Sequence, residues 1–160
     1  MKNVDLELKT QISEYMQTQK LMSMATFADN EPWIANVYFV SDDDLNIYFL
    51  SKKWREHCKA IVINPKVSVA IADSHQNIYN PQKGLQITGT AEEVNVFDKL
   101  EWMFKMWNKL IAGEKGEKLS DPKKFLDAGV SGVYRIKPSK IKFFNTEAWP
   151  KDQTKVLELS

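Results

Sequence analysis

Residues 21 to 89 decide the reading of this chain, because they spell strand, turn, strand, turn, strand, short helix, Asn-Pro, strand, loop, strand. Leu21-Met22-Ser23-Met24-Ala25-Thr26-Phe27 is followed by Trp33-Ile34-Ala35-Asn36-Val37-Tyr38-Phe39-Val40 and then by Leu45-Asn46-Ile47-Tyr48-Phe49-Leu50-Ser51. Asp29-Asn30-Glu31-Pro32 between the first two is turn chemistry. Asp42-Asp43-Asp44 separates the second strand from the third, and it lacks both the wider spacing and the Glu of a calcium loop. It therefore reads as a solvated hairpin turn.

Residues 54 to 63 follow as a short helix that Asn64-Pro65 ends, since the residue before a proline is pushed out of the α region. Val67, Val69 and Ile71 then alternate with Ser68, Ala70 and Ala72 in a strand, and Leu85, Ile87 and Val94 restore strand character after a polar loop from Ser74 to Lys83. Outside this stretch, Val4, Leu8, Ile12, Tyr15 and Met16 recur at helical spacing over residues 4 to 18. A second helix is expected from Asp98 to Ala112, apolar on more than one face and stopped by Gly113. An exposed Lys/Glu/Gly-rich connection from Gly113 to Lys124, strands at Gly132 to Ile136 and Ile141 to Phe144, and a final strand at Val156-Leu157-Glu158-Leu159 complete the chain.

Composition narrows the function classes. The 160 residues fit one domain able to bury about two-thirds of its unfolded surface. A net charge of +1 argues against a general nucleic-acid or anionic-membrane surface. Cys58 is the one cysteine, so an intrachain disulfide and a cysteine-rich zinc site are excluded. Met1 to Glu7 lacks the apolar run of a signal peptide and no apolar run reaches the ~20 residues of a membrane helix, so a reducing, cytoplasmic home is expected.

The order and spacing of Trp33-x-Ala35-Asn36-x-Tyr38, Lys83-Gly84-x-Gln86 and Lys142-Phe143-x-Asn145 resemble the flavin-binding split β-barrel family that contains the pyridoxamine 5'-phosphate oxidases. The resemblance covers most of the chain and implies a mainly β fold: a split antiparallel, Greek-key β-barrel of about six strands with two or three flanking α-helices. It also implies FMN as cofactor, bound between the subunits of a homodimer, with an unknown small molecule as substrate. By that resemblance the ring lies along Ala35, Asn36, Val37 and Tyr38, with a second contact at Phe49, Leu50 and Ser51. The phosphate falls to Lys53, Arg55 and His57, where the family's oxidases often show Ser-Arg-Lys and this chain has Arg55-Glu56-His57. Glu56 would repel a phosphate if it pointed inward, and Arg55 and His57 share a helical face only if the helix begins between them. An α-helix starting there would also aim its first N–H groups at the phosphate.

Each candidate has a bland alternative. Lys52-Lys53-Trp54-Arg55 taken alone reads better as a solvated basic patch, and its barrel context turns the reading to phosphate binding. Gln86 faces opposite Leu85 and Ile87, either as a flavin contact or as a solvated amide. Trp149 lies where some family members approach the partner's flavin, or it is a packed surface aromatic. Cys58 next to His57 fits a buried helix face with Ile61 and Val62 rather than a nucleophilic pair, and His75 falls in an exposed loop. The tail Ala148 to Gln153 lacks the Arg-x-His type substrate site of the family's oxidases. No residue stands out as catalytic, which flavin chemistry does not require. An FMN-dependent oxidoreductase and a non-catalytic binder of flavin, haem or a deazaflavin both remain open.

Overall fold

The computed structural model describes residues 3–73, 75–94, 97–110 and 131–159. Its elements are α1 (Asn3–Thr18), β1 (Leu21–Ala28), β2 (Glu31–Ser41), β3 (Ile47–Lys52), α2 (Glu56–Ile63), β4 (Lys66–Ala72), β5 (Lys83–Glu93), α3 (Phe97–Leu110), β6 (Ser131–Asn145) and β7 (Thr154–Glu158). All strand pairs are antiparallel, in the order β3-β2-β1-β4-β5-β6-β7, and an additional β3–β6 pairing closes six of the seven strands into a ring. The expected barrel with flanking helices is the observed one. The expected connection at Gly113 to Lys124 and the last residues of the second helix lie outside the described residues.

Local chemistry explains the turns. Asp29 and Asn30 both take positive φ (51° and 65°), the two-residue hairpin loop whose twist matches its flanking strands. In the next turn the Asp42 carboxylate accepts from the backbone N–H of Asp44 and Asn46 and from the Asn46 amide, so this acid is engaged inside its own loop.

The barrel's inward positions form one core: Met22 and Met24 on β1, Val37 and Phe39 on β2, Ile47 and Phe49 on β3, Val67, Val69 and Ile71 on β4, Leu85 and Ile87 on β5, and Ile141 and Phe143 on β6. Leu8, Ile12 and Met16 of α1 and Cys58 and Ile61 of α2 join this core. Val62, expected beside Cys58 and Ile61, is instead 81% exposed, because α2 buries the turn formed by His57, Cys58, Ala60 and Ile61. A smaller cluster sits outside the barrel, where Leu100, Met103, Phe104 and Trp107 of α3 cover Val40, Tyr48 and Val133.

Two expected strands near the C-terminus are one. β6 runs unbroken for 15 residues, pairing with β5 on one edge and with β3 and then β7 on the other. Lys137-Pro138-Ser139 looks like an interruption because proline cannot donate to a ladder, but the register shifts there, with Gly89 opposite Pro138 and Thr88 opposite Lys140. The extra residue, Ser139, donates its hydroxyl to the Thr88 carbonyl. Gly89 is needed at this crossing: a Cβ there would lie 2.4 Å from the Lys137 carbonyl oxygen.

Candidate functional site

Strand register, rather than sequence proximity, assembles the outer face of the barrel. Asn36 of β2 pairs with Ser23 of β1, Ser23 with Ala70 of β4, Ala70 with Gln86 of β5, and Gln86 with Lys142 of β6. Directly paired residues on antiparallel strands point to the same side, so these five side chains form one row across the outside. The next row is Ile34, Ala25, Ser68, Thr88 and Lys140. Both rows are low in the middle, where Ser23, Ala25, Ser68 and Ala70 stand, and higher at the flanks. The result is a shallow trough between Asn36 and Gln86, three strand spacings or about 14 Å across. Ser23 Oγ lies 2.7 Å from Asn36 Oδ1 and fixes the orientation of that amide.

The trough continues along β1, β2 and β4 into a groove lined by Lys20, Ser23, Asn36, Tyr38, Ala72, Asp73 and His75 among others. Beside it, β2 is only half paired. β1 covers one edge over Glu31 to Tyr38, whereas β3 covers the other only at Phe39, Val40 and Ser41. Among the described residues, no strand occupies the second edge of β2 over residues 31–38. An unpaired strand edge presents a row of N–H and C=O groups to a ligand or another chain.

The sequence-predicted ring residues therefore divide by side chain. Asn36 and Tyr38 (63% exposed) face the groove, and Gln86 faces the trough, opposite the buried Leu85 and Ile87 as expected. Ala35 and Val37 alternate inward onto the core and offer a ligand their backbone only. Phe49 is fully buried, stacked on Tyr134 at 5.1 Å, while Leu50 packs against the α3 cluster.

The corner between β3 and α2 gathers the predicted phosphate residues but engages most of them internally. α2 begins at Glu56, between Arg55 and His57, with Arg55 as N-cap in extended backbone (φ −69°, ψ 148°) and no side-chain cap. His57 is buried, and its Nε2 lies 2.8 Å from the buried Ser51 hydroxyl. Burial and, secondarily, the Arg55 guanidinium push its pKa below the ordinary imidazole range. Lys53 is paired with Glu93 at 2.5 Å. Glu56 pairs with Lys59 at 2.9 Å on the exposed side of α2. Arg55 is exposed at this corner, beside the first N–H groups of the helix.

Trp149 packs within its own chain. It is half-buried, edge-on to Phe143 at 5.4 Å, with the Lys155 ammonium 5.0 Å from its ring centre. Ser23, Ala70 and the Asp73–His75 pair were not singled out from sequence. Strand alternation places the first two outward, but only the register of β1 against β2 and β4 brings them beside Asn36.

The family model described as pyridoxamine 5'-phosphate oxidase matches residues 8–143, and the chain belongs to that family. A search of curated protein sequences finds no match. Among solved structures, the General Stress Protein 26 of Bacillus anthracis is similar, with a TM-score of 0.68 at 19% identity over 96% of this chain and 99% of that one. HutZ, the heme storage protein of Vibrio cholerae, superposes with a TM-score of 0.60 at 17% identity over 82% and 89% of the two chains. An FAD-binding protein of Mesorhizobium loti gives 0.58 at 18% identity over 82% and 90%. These likenesses establish the fold. No helix among the described residues is long and apolar enough to cross a membrane.

Proposed function

We propose that this protein binds FMN on the outer face of its barrel and uses it to pass electrons between a reduced donor and a small organic acceptor, as a homodimer. The observation that carries the reading is the open edge of β2 at residues 31–38 lying beside the trough of small side chains. A planar ring needs a flat floor, supplied by Ser23, Ala25, Ser68 and Ala70, and hydrogen-bonding groups at its rim. The β2 backbone and the Asn36 and Gln86 amides are such groups. When bound, the flavin supplies the hydride and electron chemistry. The chain's own residues position it.

Arg55, with the N-terminal N–H groups of α2, is the assigned phosphate anchor. His57 and Ser51 support that corner from behind, and Lys53 would have to exchange Glu93 for phosphate. The trough is shallow and open to one side, so a second subunit is required to shut water from the ring. Leu21 (42% exposed), Phe27 (48%), Ile34 (69%) and Tyr38 on the same outer face supply apolar surface for it. The single, buried Cys58 suits a reducing cytoplasm.

The test is a visible spectrum of the purified protein followed by titration with FMN and riboflavin. A flavin spectrum and at least about tenfold tighter binding of FMN are expected, the loss of one charge-assisted phosphate contact. Equal affinities would remove the phosphate assignment. A Soret band in place of flavin peaks would replace FMN with haem.

A further inference from the structure

The groove that holds Asn36 and Tyr38 also contains a pair that the flavin reading leaves unused. Asp73 and His75 follow directly from the end of β4 and line the same groove as Ser23, Asn36, Tyr38 and Ala70. Asp73 Oδ1 accepts the backbone N–H of His75 at 2.8 Å and lies 3.5 Å from its Nδ1. One carboxylate thus caps the turn and lies beside the ring at Nδ1, and Nε2 is the nitrogen on the side of the imidazole away from it. The loop behind is tied down as well: Gln76 Oε1 accepts from the Lys83 backbone N–H at 2.6 Å, and the Gln82 amide donates to the carbonyls of Asn77 and Asn80.

We infer that His75, with Asp73 beside it, exchanges a proton with the ligand that occupies the Asn36–Tyr38 groove. The inference rests on the flavin reading of the same face. Reduction of a flavin by a dihydronicotinamide moves a hydride, with both electrons, from the donor to the ring. The nicotinamide leaves oxidised, and the ring needs one further proton to complete its two-electron, two-proton change. His75 supplies that proton and recovers one from solvent, to which its side chain is 93% open. An imidazole is the side chain whose ordinary titration range spans neutral pH. The other histidine, His57, is buried against Ser51 at the β3–α2 corner. Among the described residues, the charged and titratable groups near His75 include Asp73 on its own segment, Tyr15 of α1 beside Asp73, and Lys20 and Tyr38 lining the groove.

The test uses the full chain with isotope-labelled histidine, and follows both imidazoles by NMR through a pH titration with and without saturating FMN. The His75 midpoint should move by about half a pH unit or more when the ring lies beside it, with its resonances broadened or displaced. A His75 curve that superimposes with FMN bound overturns the inference and leaves the flavin reading intact. Failure of FMN to bind at all, seen first in the spectrum, overturns both. A second arm is His75→Asn, whose exposed position spares the fold. Reduction of bound FMN by NADH should slow on the order of a hundredfold near neutral pH and lose its neutral-range pH dependence. An unchanged pH profile with unchanged FMN affinity would also overturn the assignment.

Discussion

The β3–α2 corner and the outer trough hold candidate residues in opposite states. At the corner, polar groups adjacent in sequence are consumed by internal partners: Ser51 by His57, Lys53 by Glu93 and Glu56 by Lys59. On the trough, residues from four strands, from Ser23 in β1 to Gln86 in β5, present small and amide side chains outward. A run of basic residues has to be read together with its neighbours, because nearby carboxylates and buried hydroxyls engage part of it. A strand register is a better guide to a planar site, since it fixes which side chains are level with one another.

The contrast breaks most sharply through the support behind the corner. Phe49→Ala should destabilise the fold by about 3–5 kcal/mol, because the ring is fully buried and stacked on Tyr134. Denaturant melts of the apo protein measure it. A loss below about 1 kcal/mol would mean the corner is not structural in the way its packing implies.

On the trough the expectation reverses. Ala70→Trp should leave the melting temperature nearly unchanged, since Ala70 is exposed, while filling the floor and weakening FMN binding by a hundredfold or more, about 2.7 kcal/mol. Normal binding by this variant, read by fluorescence quenching, would move the flavin off this face.

Arg55→Ala should cost about 1.5–3 kcal/mol of FMN affinity, roughly ten- to a hundredfold, with the apo melt unchanged. If affinity holds, Arg55 is a solvated cation. If the apo fold collapses, it belongs with its structural neighbours. Sedimentation of the same samples gauges the dimer, which FMN at a hundredfold excess over its dissociation constant should stabilise by roughly 2.7 kcal/mol. A monomer in both states would remove the shared site.

The smallest effect is one of pH. Burial holds the folded pKa of His57 below its unfolded value near 6.5, so the folded state binds fewer protons there. The stability this contributes is complete above pH ~6.5 and is lost as pH falls through the lowered folded value. His57→Asn should flatten the fall in denaturation midpoint between pH 7 and 5. An unchanged slope would assign it to other groups.

Much of the architecture follows from the sequence by itself. The period-two alternation of β4 and β5, the Asp29-Asn30 turn, the Asn64-Pro65 stop and the helical spacing of Leu8, Ile12 and Met16 are local signals, and each produced the element expected of it. The motif order also carried the family. Tertiary structure decided what has no local signature. Pro138 sits inside one long strand because a bulge opposite Gly89 absorbs its missing donor. His57 turns inward because Ser51, six residues earlier, waits at hydrogen-bonding distance under the helix start. Ser23, Ala70, Asn36 and Gln86 share one face because closure of the ring sets their register, and a shift of one residue would send each to the other side.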